Sequence, residues 1–111
     1  MQSDQQSRNE IKHPTLLKHE WGELFLEKFE RKPMIHCYVY HWSPSAYKLF
    51  KQIWTHVLGG FKQHGENFVY AAVKPDDVKL QKFAMIYGFE FEDRYVLDNK
   101  GDLRKIMKCE V

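Results

Sequence analysis

Six histidines and two cysteines are enough side chains for a metal site, so their spacing has to be tested first. No Cys-x-x-Cys or His-x-x-x-His pair occurs, and His36, Cys37 and His41 alternate between the faces of one extended segment, which suits no single ion. Cys37 as a nucleophile would sit in the middle of that apolar segment, where the thiolate is disfavoured. Cys37 and Cys109 therefore read as small buried hydrophobes rather than as a disulfide or a reactive pair. An anion site is the better prospect. Trp42-Ser43-Pro44-Ser45-Ala46-Tyr47-Lys48 opens a helix, where free backbone N–H groups, two hydroxyls and one ammonium converge, although Ser43 as a plain helix cap accounts for the same pattern.

These groups must be positioned by a single domain, because 111 residues allow one core and little more. A 43% hydrophobic and 15% aromatic composition belongs to a globular chain rather than a disordered one. The 17 basic and 15 acidic residues are interspersed, so the formal charge of +2 demands neither a nucleic acid nor a membrane, and most aromatics fall on core faces instead of a stacking platform. No secretory signal or long apolar span is visible, and a soluble cytoplasmic protein is expected.

Residues 1–13 are polar and predict a flexible tail, with the domain running over 14–111. Leu16, Leu17, Trp21, Leu24, Phe25 and Phe29 recur at helical spacing and predict a helix from Pro14 to Arg31. Met34 to Trp42 reads as an interior strand, with Ile35, Cys37, Val39 and His41 on one face and His36, Tyr38 and Tyr40 on the other. A long amphipathic helix follows from Pro44 to about Gln63. Phe68 to Val73 has the length and composition of a strand buried on both faces. Lys74-Pro75-Asp76-Asp77 breaks it and caps a short helix carrying Leu80, Phe83, Ala84 and Tyr87 on one side, which Gly88 stops. Two last strands, Phe89–Leu97 and Leu103–Val111, flank the Asp98-Asn99-Lys100-Gly101 hairpin signal.

A buried strand, a polar turn, a short helix ending Ala84-Met85-Ile86-Tyr87-Gly88-Phe89 and a closing hairpin resemble the C-terminal half of the GNAT N-acetyltransferase superfamily. The resemblance covers roughly residues 34 to 111, and in particular the chain is similar to short, divergent GNAT-like proteins of small tailed phages. It implies an α/β (α+β) fold of order α-β-α-β-α-β-β, a truncated domain with a four-stranded mixed sheet ordered, by start residue, 34, 66, 102, 89. It also implies acetyl-CoA, whose pyrophosphate would meet Trp42, Ser43, Ser45, Ala46, Tyr47 and Lys48. The superfamily pattern there, Arg/Gln-x-x-Gly-x-Gly/Ala, is missing its glycines. The tyrosine expected four residues before Gly-Phe as general acid is replaced by Ala84, which leaves Tyr87 as the nearest phenol and His36, His41, Glu66 and Asp76 as candidate bases by location. With both signatures degenerate, three functions are in play: a binder of a host or virion protein, with little or no activity; an active acetyl-CoA-dependent N-acetyltransferase; and a structural internal virion protein. The predicted truncation would expose an edge of the Met34–Trp42 strand and invite a homodimer, and Glu90, Glu92, Asp93, Arg94 and Tyr95 could contribute to a partner surface. A phage-encoded chain would act in the host cell cytoplasm.

Overall fold

The computed structural model describes residues 14–111; the expected tail over residues 1–13 lies outside the described residues. Six strands and two helices follow in the order β1 (Thr15–His19), β2 (Gly22–Phe29), β3 (Lys32–Val39), α1 (Pro44–Gln63), β4 (Phe68–Val73), α2 (Val78–Ile86), β5 (Phe89–Leu97) and β6 (Leu103–Glu110). They form one mixed sheet ordered β1-β2-β3-β4-β6-β5. Only β3 and β4 run parallel, joined by the α1 crossover; the other neighbours are antiparallel. The expected order of the last four strands, with the final strand inserted beside β4, is the observed one.

The first third of the domain differs from expectation. Residues 14–31 form no helix but a hairpin, β1 and β2, so the sheet has six strands rather than four. The apolar spacing fits both periods because both faces of β2 carry large side chains: Gly22, Leu24 and Leu26 share one face, and Phe25 and Phe29 the other. The turns also lack the usual punctuation. Glu30 and Arg31, between β2 and β3, both have positive φ (51° and 70°), the conformation of a type I′ hairpin turn, without the expected Asn or Gly. One consequence is a second correction. Strand β2 pairs with β3 from Phe29↔Lys32 to Gly22↔Val39, so the edge of β3 that was expected to invite a homodimer is covered.

Both helices lie on one face of the sheet. Phe50 and Trp54 of α1 and Phe83 of α2 pack with Leu24, Ile35, Val69, Ala71, Met107 and Cys109, and the Phe50 and Phe83 rings meet edge to face at 5.5 Å. The helices are fixed by local chemistry. The Ser43 hydroxyl accepts from the Ala46 N–H at 3.1 Å, and the Asp77 carboxylate accepts from the Leu80 N–H at 3.0 Å. Buried Gln81 donates from Nε2 to the carbonyls of Lys74 and Pro75 at 2.8 and 3.0 Å, which holds the β4–α2 turn in place. Among the described residues no helix covers the opposite face, where Tyr38 (46% exposed) and Tyr40 (57% exposed) stand beside Phe25, His36 and Tyr70.

Candidate functional site

Strands β3 and β4 are paired only at Met34↔Tyr70 and Ile35↔Ala71. Beyond those two pairs they diverge, and a cleft of about 490 Å³ opens between their C-terminal ends. The volume is that of a small-molecule site, and the carboxyl ends of diverging strands are where open α/β sheets bind ligands. The cleft passes through the sheet. Its walls include Cys37 and Val39 from the helix side and His36, Tyr38 and Tyr40 from the open side. Phe50, Trp54 and Phe83 form its floor under the helices.

On the open face, His36 is the first residue beyond the last β3–β4 pair. Its Nδ1 lies 2.6 Å from Glu27 Oε2, with both side chains partly exposed, at 29% and 25%. In the neutral imidazole, Nδ1–H donates to a carboxylate at that distance and Nε2 is the acceptor. This is the base-and-orienter arrangement that proton-transfer catalysis uses. The sequence had named His36 as a candidate but could not supply its partner, since Glu27 lay within a supposed helix; the alternation of Glu23, Phe25 and Glu27 with Leu24 and Leu26 is the signal that would have found it.

At the helix end, Trp42, Ser43, Tyr47 and Lys48 line a shallow hollow continuous with the cleft, together with Pro44, Lys51 and Lys79. Lys79 borders both spaces, and its Nζ stands 4.9 Å from the Trp42 ring centre. Few first-turn amides remain available to a ligand. Pro44 has none, the Ala46 N–H is taken by Ser43 Oγ, and the Tyr47 N–H bonds the Ser43 carbonyl, which leaves Ser45. Ala46 is buried and Ser45 exposed. Lys48, Lys51 and Lys79 line this hollow, so its positive charge comes from three side-chain ammonium groups rather than from first-turn amides.

Tyr87 lines the cleft, and its hydroxyl donates to the Tyr47 carbonyl at 3.0 Å, tying α2 to α1. Burial, with Tyr47 nearby, raises its pKa well above the ordinary phenol value, so the phenol holds its proton tightly. Burial likewise pushes the Cys37 thiol up to about 12, which makes it a wall and not a nucleophile. The remaining candidates lie elsewhere. His41 is exposed and stacks near Trp21 at 6.3 Å, Glu66 precedes β4 at the end away from the cleft, and Asp76 is exposed in the β4–α2 turn; none lines the cleft.

At the level of sequence, no protein-family model and no curated protein matches this chain. Comparison of folds is decisive. A GNAT-family acetyltransferase from Bordetella pertussis matches over 79% of this chain and 56% of its own, with a TM-score of 0.60 and 15% identity. The fold is GNAT-like. An IAA acetyltransferase from Bacillus cereus matches over 81% of this chain and 69% of its own, with a TM-score of 0.57 and 14% identity. A mutant spermidine N-acetyltransferase from Vibrio cholerae matches over 80% and 56%, with a TM-score of 0.54 and 14% identity. This GNAT-like chain thus spans 56 to 69% of the length of these proteins. The likeness establishes a shared fold, and at such identity the chemistry has to be argued from this chain's own residues.

Proposed function

We propose that this GNAT-like domain binds a coenzyme A thioester in the through-sheet cleft and transfers its acyl group to an amine. The observation that carries the reading is the Glu27–His36 pair at the point where β3 and β4 part. The side chains fit the cofactor at its anionic end: Lys48, Lys51 and Lys79 would hold its phosphates by charge, in place of the backbone amides that Pro44 and the Ser43 cap remove. When bound, the cofactor supplies an acyl group activated as a thioester. As the amine nitrogen bonds the acyl carbon and the carbon–sulfur bond breaks, His36 Nε2 takes the proton that the amine loses, the Glu27 carboxylate stabilises the imidazolium that results, and the imidazolium gives that proton to the departing thiolate. Phe50, Trp54 and Phe83 exclude water beneath. Tyr87 positions α1 against α2 and, with its raised pKa, serves as a hydrogen-bond donor rather than a ready proton source.

The test is calorimetric titration with acetyl-CoA. Micromolar binding is expected, weakened at least tenfold by Lys79→Glu; the His36→Gln variant should keep that affinity while losing about 10²–10⁴-fold in amine-dependent release of the free thiol. A second reading, a binder of a host or virion protein with no catalytic duty, draws on the exposed Tyr38 and Tyr40 of the uncovered sheet face. The same titration separates the two: no binding at millimolar acetyl-CoA removes the acyl-transfer reading and leaves the binder.

A further inference from the structure

We propose that the acceptor amine carries an anionic group beside its nitrogen, a carboxylate or a phosphate, which is recognised by Lys74, Lys100 and Arg104 across the cleft from His36. This rests on the acyl-transfer reading above and names the substrate class of the same site. All three cations line the cleft. They come from its far wall: Lys74 leaves the end of β4, Arg104 lies on β6 and Lys100 in the β5–β6 turn.

The side of the sheet separates Arg104 from the lysines at the helix end. The register pairs Ala72 with Ile106 and Tyr70 with Lys108, so Arg104, two residues before Ile106, shares the open face with His36, Tyr38 and Tyr40. Lys48 and Lys51 belong to α1, on the other face. One cation cluster for the cofactor's phosphates would suffice, and a second cluster across the cleft, with Arg104 on the opposite face, calls for a second anion.

Part of the charge on this wall is balanced, since Arg104 is ion-paired with Asp98, while Lys74 and Lys100 keep theirs. Asp98 accepts from the Lys100 and Asp102 amides at 2.9 Å and from Arg104 Nε at 2.9 Å, which orients the guanidinium and leaves its two terminal nitrogens as a fork for an incoming anion. Asp77, also on the wall, accepts from the Leu80 N–H and keeps its negative charge. Among the described residues neither Lys74 nor Lys100 forms an ion pair. On β2, Glu27 lies against His36 and Glu23 accepts from the Tyr40 hydroxyl at 2.9 Å, and neither lines the cleft. Lys74, Lys79, Lys100 and Arg104 line the cleft against the one carboxylate of Asp77, so an amine delivered to His36 meets an excess of positive charge, which favours an acceptor that carries its own anion. The near-parallel Tyr38 and Tyr40 rings, 7° apart in plane, add a flat apolar wall for the rest of the molecule.

The experiment uses the full chain with acetyl-CoA and two matched pairs of acceptors: L-phenylalanine against 2-phenylethylamine, and phosphoethanolamine against ethanolamine. At least one anionic member should be acetylated with a kcat/KM ten or more times that of its partner, and the pair that shows the preference identifies the anion. Lys100→Glu, in an exposed turn where folding is not at stake, should raise the KM of the preferred acceptor at least tenfold with kcat little changed. Equal rates within both pairs, preference for the uncharged-tail amines, or no turnover of any of the four by a chain that binds acetyl-CoA overturns this inference and leaves cofactor binding intact. A chain that does not bind acetyl-CoA removes both.

Discussion

Gly22 lets the Phe50 ring of the long helix lie directly on the sheet. A Cβ at that position would overlap the Phe50 ring and the Tyr38 carbonyl, and the carbonyl, being backbone, cannot step aside. Phe50 is 1% exposed and forms part of the cleft floor, so the missing side chain lets α1 seat against β2. Gly22→Ala should destabilise the domain by about 1–3 kcal/mol, read as a lower urea midpoint at unchanged slope. Cys37 offers a pH-dependent probe of the same region. Burial holds its thiol protonated up to about pH 12, so the thiolate that reacts with iodoacetamide is scarce at neutral pH and grows only as pH rises. Alkylation of Cys37 in the folded chain should therefore remain far slower than that of a free thiol at pH 9, and should approach it in urea; rapid labelling at pH 8 would show the cleft wall to be open.

Among the elements, the β2–β3 hairpin carries the most consequence, since it brings Glu27 to His36 and covers the edge of β3. Its turn is built from residues poorly suited to it. Both Glu30 and Arg31 occupy left-handed backbone, at a cost of about 1–2 kcal/mol each relative to glycine. Glu30 has a partial compensation, an ion pair with Arg94 at 3.0 Å, and that guanidinium also lies over the Phe29 ring at 4.9 Å. Arg31 has no such partner among the described ion pairs and is exposed. Arg31→Gly should thus raise stability by roughly 0.5–1 kcal/mol, the relief of strain exceeding the added entropy of the unfolded chain, and calorimetry would register a higher Tm. A lower Tm would mean that the arginine makes a contact stronger than its strain. The opposite hairpin is better matched to its chemistry: Gly101 takes the positive φ of 82°, and Asp98 collects two backbone amides and Arg104.

At the scale of the whole molecule, the proposed site rests on two strands that touch briefly and separate, with helices, among the described residues, on only one side. Much of this was legible from the chain alone. The apolar runs Met34–Val39 and Phe68–Val73, the capped helices starting after Ser43 and Asp77, and the Asp98–Gly101 turn are local signals, because each depends on residues within a few positions of one another. They sufficed for the α+β class, the order of the last four strands and the GNAT-like fold. What they could not supply was pairing over distance. Residues 14–31 satisfy helical and extended periods alike, and only the partner strand β3, by burying Leu24 and Leu26 against the helices, decides between them. The site has the same division. The sequence by itself determined that His36 faces away from Ile35 and Cys37, and that Ser43 begins a helix with no glycine cradle. Only the tertiary structure placed Glu27 at its imidazole and Lys74, Lys100 and Arg104 across the gap, because a cleft is defined by where strands part, and the point of parting is set by packing between segments far apart in the chain.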